Sequence, residues 1–361
     1  MTLAAPQSHT FVDPHPLECE LGGELPILEL AYTTWGQLAP DGGNVVWVMH
    51  PLTCNANPQA WWPALVGPGR SIDPQRHFVI CANSLGSCYG SSGPTSTNPR
   101  TGTQYGREFP LITLRDVIVA FERLREHLGI DRIHLGIGGS YGGQQLLEWM
   151  ATRPALFEQA CVVGADLRQT PWAVALNETQ RMALEADPGF ASGRAGAGTR
   201  GLAAARALAM LSYRSPRAYR VKQSEADDAV AAGHRAASYQ RHVGNRFTER
   251  FDPLAYWTLT RAMDSHNPAR GRSSLREAFA AVAAHTLFIA LEDDQLFPPA
   301  EIAASLADFP GAELVTIASE YGHDGILAHG DEIARVLARF LERNELVSRP
   351  PSWSRTASCR V

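Results

Sequence analysis

Apolar residues along the chain fall into two kinds of pattern. Near-continuous β-rich runs stand at NVVWVMH (44–50), HFVICAN (77–83), QACVVGAD (159–166), HTLFIALEDD (285–294) and AELVTIAS (312–319). Such runs, ending in polar loops, predict parallel strands buried on both faces. Between them lie stretches of helical period. Thr113 caps a helix whose Val117, Phe121, Leu124 and Leu128 form one stripe, and Gly129 stops it. A closing amphipathic helix runs through Ile333, Val336, Leu337 and Phe340. Residues 17–36, LECELGGELPILELAYTTWG, read as two short strands suited to an antiparallel edge.

The segment HLGIGGSYGGQQLLEW (134–149) joins the two patterns. Ile133, Leu135 and Ile137 close a buried strand, while Leu146, Leu147 and Met150 recur at helical spacing. Ser140 stands at the junction, flanked by Gly138, Gly139, Gly142 and Gly143. Gly-x-Ser-x-Gly between a strand and a helix predicts a nucleophile elbow, a turn too tight for a Cβ two residues either side of the serine. Strands and helices alternate as βαβ units, for which a mostly parallel α/β sheet is the economical solution.

From about residue 167 to 280 the composition shifts to Ala- and Arg-rich helical patterns, such as LAAARALAMLSYRS and DPLAYWTLTRAMDSH, with almost no β-run. The sheet pattern then resumes. The expected organisation is therefore an α/β core from 1–166 and 281–345, with a helical cap at 167–280 above the carboxyl ends of the strands, where α/β proteins bind ligands. Residues 346–361 are Ser-, Pro- and Arg-rich and read as a disordered tail.

At 361 residues, 45% hydrophobic and 19% charged, the composition is that of an ordinary globular enzyme. A net charge of −5 without Lys/Arg clusters gives no electrostatic reason to expect nucleic acid or an anionic membrane as partner. The N-terminal residues MTLAAPQSHTFVDPHP have neither a basic start nor an apolar run, and no stretch of about 18 apolar residues could span a bilayer, so a cytoplasmic location is expected. The six cysteines (Cys19, Cys54, Cys81, Cys88, Cys161, Cys359) include no C-x-x-C pair. Reduced thiols are expected, with no metal site.

A serine hydroxyl needs a base to become nucleophilic, and that base needs an orienting acid. LEDDQLFPP offers Glu292, Asp293 and Asp294 after one late strand, and SEYGHDGIL offers His323 with Asp324 after the last. The chain order Ser, Asp, His is that of the α/β-hydrolase fold. Oxyanion donors are expected at the amide of Tyr141, just after the nucleophile, and at Leu52 or Thr53 in MHPLTCNANP.

The set HPLTCNA, WWPALVGPGRSID, FVICANSLGSCYGSSGPTSTNPRTGTQYGREFP, GGSYGGQQLLEW, LNETQRMAL, FTERFDPLAYWTLTRAMD, DDQLFPP and YGHDGIL resembles the homoserine O-acetyltransferases of the α/β-hydrolase type over nearly the whole chain. The resemblance implies a cytoplasmic methionine-pathway acyltransferase, a homodimer through its cap. It would move acetyl from acetyl-CoA to L-homoserine by way of a seryl ester, without a bound cofactor. It makes Ser140 the nucleophile, His323 the base and Asp294 the acid, since the family's aspartate precedes x-Leu-Phe-Pro. It assigns Arg181 of NETQR to the acceptor's carboxylate and Asp324 to a further substrate contact, such as the ammonium. The chain departs from the family at Pro51, Cys54 and Asn55 of the oxyanion loop and at Gln144, where methionine is common. A succinyl donor, a serine acceptor, or a plain esterase or thioesterase of the same fold are the alternatives.

Overall fold

A computed structural model describes residues 6–348. Ten strands are present among them: β1 (Gln7–Asp13), β2 (Leu17–Glu18), β3 (Glu24–Leu25), β4 (Leu28–Trp35), β5 (Val45–Met49), β6 (Phe78–Ala82), β7 (Ile133–Gly139), β8 (Phe157–Val163), β9 (His285–Leu291) and β10 (Glu313–Ile317). Eight form one sheet in the order β1-β4-β6-β5-β7-β8-β9-β10. The pairs β1/β4 and β4/β6 are antiparallel and the remaining pairs parallel. The chain thus folds as an α/β hydrolase, a mostly parallel sheet flanked by helices.

Every residue of β5 is buried, and its side chains alternate between two apolar layers. Val45, Trp47 and Met49 enter one layer, Val46 and Val48 the other, as a period of two requires. Twelve helices accompany the sheet: α1 (Pro58–Trp61), α2 (Leu114–His127), α3 (Tyr141–Thr152), α4 (Pro171–Glu185), α5 (Thr199–Tyr213), α6 (Pro216–Gln223), α7 (Arg235–Thr248), α8 (Pro253–Asp264), α9 (Leu275–Phe279), α10 (Pro299–Ser305), α11 (Gly325–Ala328) and α12 (Gly330–Ser348). On one face α3 packs against β7 and β8, and its Trp149 meets Trp47 edge-on at 4.9 Å. On the other, Ile333, Leu337 and Phe340 of α12 join Leu287, Ile289 and Leu291 of β9. Thr113 caps α2 as expected, its hydroxyl accepting the Asp116 amide while Asp116 accepts the Thr113 amide at 2.7 Å.

The edge of the sheet differs from the expectation. β4 is antiparallel but interior, because β1 covers it; the run 17–25 instead makes the separate two-residue ladder β2/β3. β1 buries only Phe11, so no alternation marks it in the sequence. Between β8 and β9 lie α4 to α9 and no strand. At the C-terminus α12 continues to Ser348, so residues 346–348, read as tail, are helical. The remaining tail and Cys359 lie outside the described residues. The five described cysteines are unpaired, no helix among the described residues is long and apolar enough to cross a membrane, and no group of His, Cys, Asp and Glu side chains among them could hold a metal ion.

Candidate active site

The carboxyl ends of β5, β7, β9 and β10 all face the same edge of the sheet, and each delivers one part of the site. At the end of β7 the chain turns so sharply into α3 that Ser140 adopts φ 55° and ψ −123°, a strained region for any residue but glycine. The flanking glycines are required by close approach. A Cβ on Gly138 would lie 2.2 Å from the Gly142 carbonyl oxygen, and one on Gly142 would lie 2.1 Å from that of Met49. The elbow therefore rests directly on the end of β5.

After β10, the turn Gly322–Asp324 brings His323 over Ser140. Its Nε2 is 2.8 Å from Ser140 Oγ, and its Nδ1 is 2.8 Å from Asp294 Oδ2. A carboxylate only accepts, so Nδ1 carries the proton and Nε2 is left to accept from the serine hydroxyl. Asp294 is 4% exposed, and its Oδ1 accepts the amides of Leu296 at 2.8 Å and Phe297 at 3.0 Å. Its neighbours Glu292 and Asp293 are exposed to solvent, so burial separates the acid from two otherwise equal carboxylates. The rings of Phe297 and Tyr213 lie 5.6 and 5.5 Å from that of His323 and shield it.

After β5 the loop 50–56 supplies the other wall. His50 is fully buried; its Nδ1–H donates to the Pro51 carbonyl at 2.8 Å and its Nε2 accepts the Ser84 amide at 3.0 Å. Among the described residues the amides of Leu52, Thr53 and Tyr141 donate no hydrogen bond, which leaves them free for an oxyanion. Leu52, Thr53 and Cys54 share with Ser140 and His323 a cavity of about 60 Å³. Burial pushes the Cys54 thiol up to about 11, so it lines the cavity as a neutral group. Gln144 does not line it: fully buried, it donates to Gln169 Oε1 at 2.6 Å. Asn55 accepts the Asn57 amide on its side chain and the Trp61 indole N–H on its carbonyl.

The expectation for Arg181 needs correction. Its guanidinium is buried in α4 and held by Asp264 at 2.6 Å and Glu178 at 2.7 Å, and it does not line the Ser140 cavity. Arg206 of α5 does. It makes no ion pair among the described residues, stacks over Tyr213 at 5.3 Å and Phe247 at 4.9 Å, and leaves Nη1 buried without a partner. Sequence reasoning passes over it, although it is the one charged residue in GLAAARALAMLS and stands two turns before Tyr213 on the same helix face. Asp324 lies where expected, lining the cavity, with its carboxylate held by Arg214 at 2.7 Å.

Arg206, Asp324 and Leu327 also line a wider outer cleft of about 1030 Å³, into which Arg214, Arg246, Arg250 and His242 project. An inner pocket of a few atoms' size thus adjoins a basic vestibule. Nucleophile, base and acid lie in line behind it, an arrangement suited to acyl transfer from a large anionic donor.

Burial also sets an acid limit to stability. It depresses His50 to about 4 and His266, whose Nε2 reaches the Asp166 carbonyl, to about 3. In the unfolded chain both take up protons near pH 6.5, so their contribution is full above about pH 6.5 and declines as pH falls from there towards 4. Denaturant unfolding between about pH 7 and pH 5 is expected to show stability falling with pH, with His266→Gln losing one proton's slope, up to about 1.4 kcal/mol per pH unit. Equal slopes in variant and wild type would refute this.

The α/β-hydrolase fold family matches residues 55–329. The homoserine O-acetyltransferase of Cyclobacterium marinum is 40% identical over 329 residues, covering 91% of this chain and 93% of its own. Among solved structures, homoserine O-acetyltransferase from Bacillus anthracis superposes with a TM-score of 0.85 at 23% identity, over 95% of this chain and 99% of that one. An acetylester hydrolase from Corynebacterium glutamicum gives 0.82 at 25% identity, over 93% and 96%.

Proposed function

The chain belongs to the homoserine O-acetyltransferase family of α/β hydrolases, and on that premise we propose that it moves an acetyl group from acetyl-CoA to the side-chain hydroxyl of L-homoserine through an ester on Ser140. In the first half-reaction Ser140 Oγ attacks the thioester carbonyl while His323 Nε2 takes its proton. The amides of Tyr141 and of Leu52 or Thr53 hold the oxyanion, the C–S bond breaks, and His323 returns the proton to the leaving sulfur. In the second, the homoserine hydroxyl gives its proton to His323 and attacks the ester. Ser140 leaves and recovers the proton. Asp294 keeps the imidazole in one tautomer throughout. Every proton has a residue to carry it, so the cycle calls on no bound cofactor; acetyl-CoA enters as substrate.

The observation that carries the amino-acid acceptor is the guanidinium of Arg206, half-buried in the cavity of Ser140 and His323, with its Nη1 buried and without a hydrogen-bond partner. A guanidinium binds carboxylate through a planar fork, and Asp324 can hold the ammonium. Arg214 and Arg246 of the outer cleft suit the phosphates of the donor. The helical stretch 167–280 acts in this reading as a cap that excludes water, favouring transfer over hydrolysis. The same reading places the enzyme in the cytoplasm as a homodimer formed through the cap, which exposes Met182, Leu211 and Val221; size-exclusion chromatography checks the dimer.

The deciding assay sets acetyl-CoA and succinyl-CoA against homoserine and serine. The pair acetyl-CoA with homoserine should turn over best. Arg206→Ala is expected to leave acylation of Ser140 nearly intact while raising the homoserine KM, at a loss of about 2–5 kcal/mol in kcat/KM. Arg181→Ala should lower the melting temperature, because it leaves the half-buried Asp264 carboxylate with the neutral donors Asn177 and Gln169 and without its charge partner. If Arg181→Ala raises the homoserine KM and Arg206→Ala does not, Arg181 is the carboxylate clamp and the assignment to Arg206 falls. An acetyl-enzyme that hydrolyses as fast without homoserine as with it would make the chain an esterase.

A further inference from the structure

We infer that Arg250, which takes no part in the steps above, is a positioning residue that holds the oxyanion loop in shape and ties that shape to the helical insertion. The inference rests on the acyl-transfer reading of Ser140. Arg250 lies in the short turn between α7 and α8, between the buried Phe247 and Phe251. Its Nη1 donates to the Thr53 carbonyl at 2.7 Å and to the Tyr89 hydroxyl at 2.8 Å. Its guanidinium stacks on the Phe247 ring at 5.0 Å. Three contacts thus fix a side chain whose outer edge faces solvent in the donor cleft.

The rest of the loop is held by the core. Pro51 O accepts from His50 and from the Cys54 amide, Asn55 O accepts the Trp61 indole N–H, and the Ala56 amide donates to Asn83 Oδ1. Among the described residues, only Arg250 donates to Thr53 O, and it reaches there from 197 positions away in sequence. That carbonyl belongs to the peptide just after the Leu52 and Thr53 amides, the candidate oxyanion donors. Its N–H, that of Cys54, is the donor to Pro51 O, so the turn bond holds one side of this peptide and Arg250 the other, and release of the Arg250 side would let the preceding amides drift from Ser140. Oxyanion stabilisation depends on donors placed before the charge develops, so a loosened loop costs rate and not substrate affinity. Because Arg250 also borders the cleft proposed for the donor's phosphates, an anion there would bear on the same guanidinium that sets the loop.

Single-turnover acylation of Ser140 separates a positioning role from a phosphate-binding one when acetyl-CoA is compared with p-nitrophenyl acetate, an acetyl donor without phosphates. Arg250→Met is expected to slow the acylation step on the order of 10–100-fold with both donors, the scale of a modest misplacement of catalytic groups, with the half-saturating p-nitrophenyl acetate concentration unchanged. Arg250→Lys, which keeps the charge and one donor to Thr53 O, should recover part of that rate. A wild-type rate with p-nitrophenyl acetate in Arg250→Met, with only the acetyl-CoA half-saturation shifted, would make Arg250 a phosphate ligand and overturn the inference. A lower melting temperature with no change in rate would also overturn it. Should Arg250→Met not fold, the same comparison on Arg250→Gln decides, since its shorter neutral side chain gives up the stacking on Phe247 and the reach to Thr53 O, and a wild-type rate there is equally contrary. Wild-type enzyme that is acylated but whose ester ignores homoserine would sink the transferase reading and leave the Arg250 result intact. Failure of both donors to acylate it would sink both.

Discussion

Replacing Ser140 by alanine is expected to lower turnover of acetyl-CoA with homoserine on the order of 10⁶-fold, the scale seen when a triad nucleophile is removed. The reason is geometric. Among the described residues His323 Nε2 has one hydrogen-bond partner, Ser140 Oγ at 2.8 Å; Thr53 and Tyr213 also line the cavity, but neither hydroxyl is bonded to the imidazole. Intact-protein mass spectrometry after brief mixing with acetyl-CoA should show one acetyl adduct on the wild type and none on Ser140→Ala. Because the triad acts as a unit, Ser140→Ala combined with His323→Ala should be little worse than either alone. The fold should not suffer: Ser140→Gly relieves a φ of 55° and should raise stability by about 1–3 kcal/mol. An adduct that persists in Ser140→Ala would place the nucleophile elsewhere.

Asp294→Asn should cost about 10⁴-fold in kcat, as in the best-studied triad, while Asp293→Asn stays near normal. Asp294 Oδ1 is already committed to two backbone N–H donors, from Leu296 and Phe297. An asparagine there would keep its oxygen towards those donors and turn its NH₂ towards His323 Nδ1. The imidazole would then carry its proton on Nε2, facing the serine, and could not act as base. Asp293, though adjacent and in a left-handed conformation, is exposed and reaches neither ring nitrogen. Steady-state rates for the two amides decide. If Asp293→Asn is the crippled variant, the acid has been misassigned.

Local physics makes much of this protein legible in its sequence. Runs such as NVVWVMH and QACVVGAD can be buried on both sides only as inner strands, so the parallel core follows from them, and the Thr113 cap and Gly129 stop mark α2. The glycines around Ser140 are interpretable because a Cβ at Gly138 or Gly142 has nowhere to go, a constraint written into residues four apart. The choice of Asp294 comes from the family resemblance; among three adjacent carboxylates periodicity cannot choose, and burial and two amide hydrogen bonds supply the physical reason. What needs tertiary structure lies where helices of similar composition compete. Both Arg181 and Arg206 sit on helices of the insertion between β8 and β9 among apolar neighbours, and nothing local to either says which face meets Ser140. Packing decides: Asp264 of α8 neutralises Arg181, whereas Arg206 is left unpaired against Tyr213 and the catalytic cavity. Likewise β1, with only Phe11 buried, gains its strand character from ladder hydrogen bonds to β4 and not from side chains. Side-chain periodicity reports what a segment buries; it carries no record of which distant partner the backbone or a charge will find, and that partner is what sets a site.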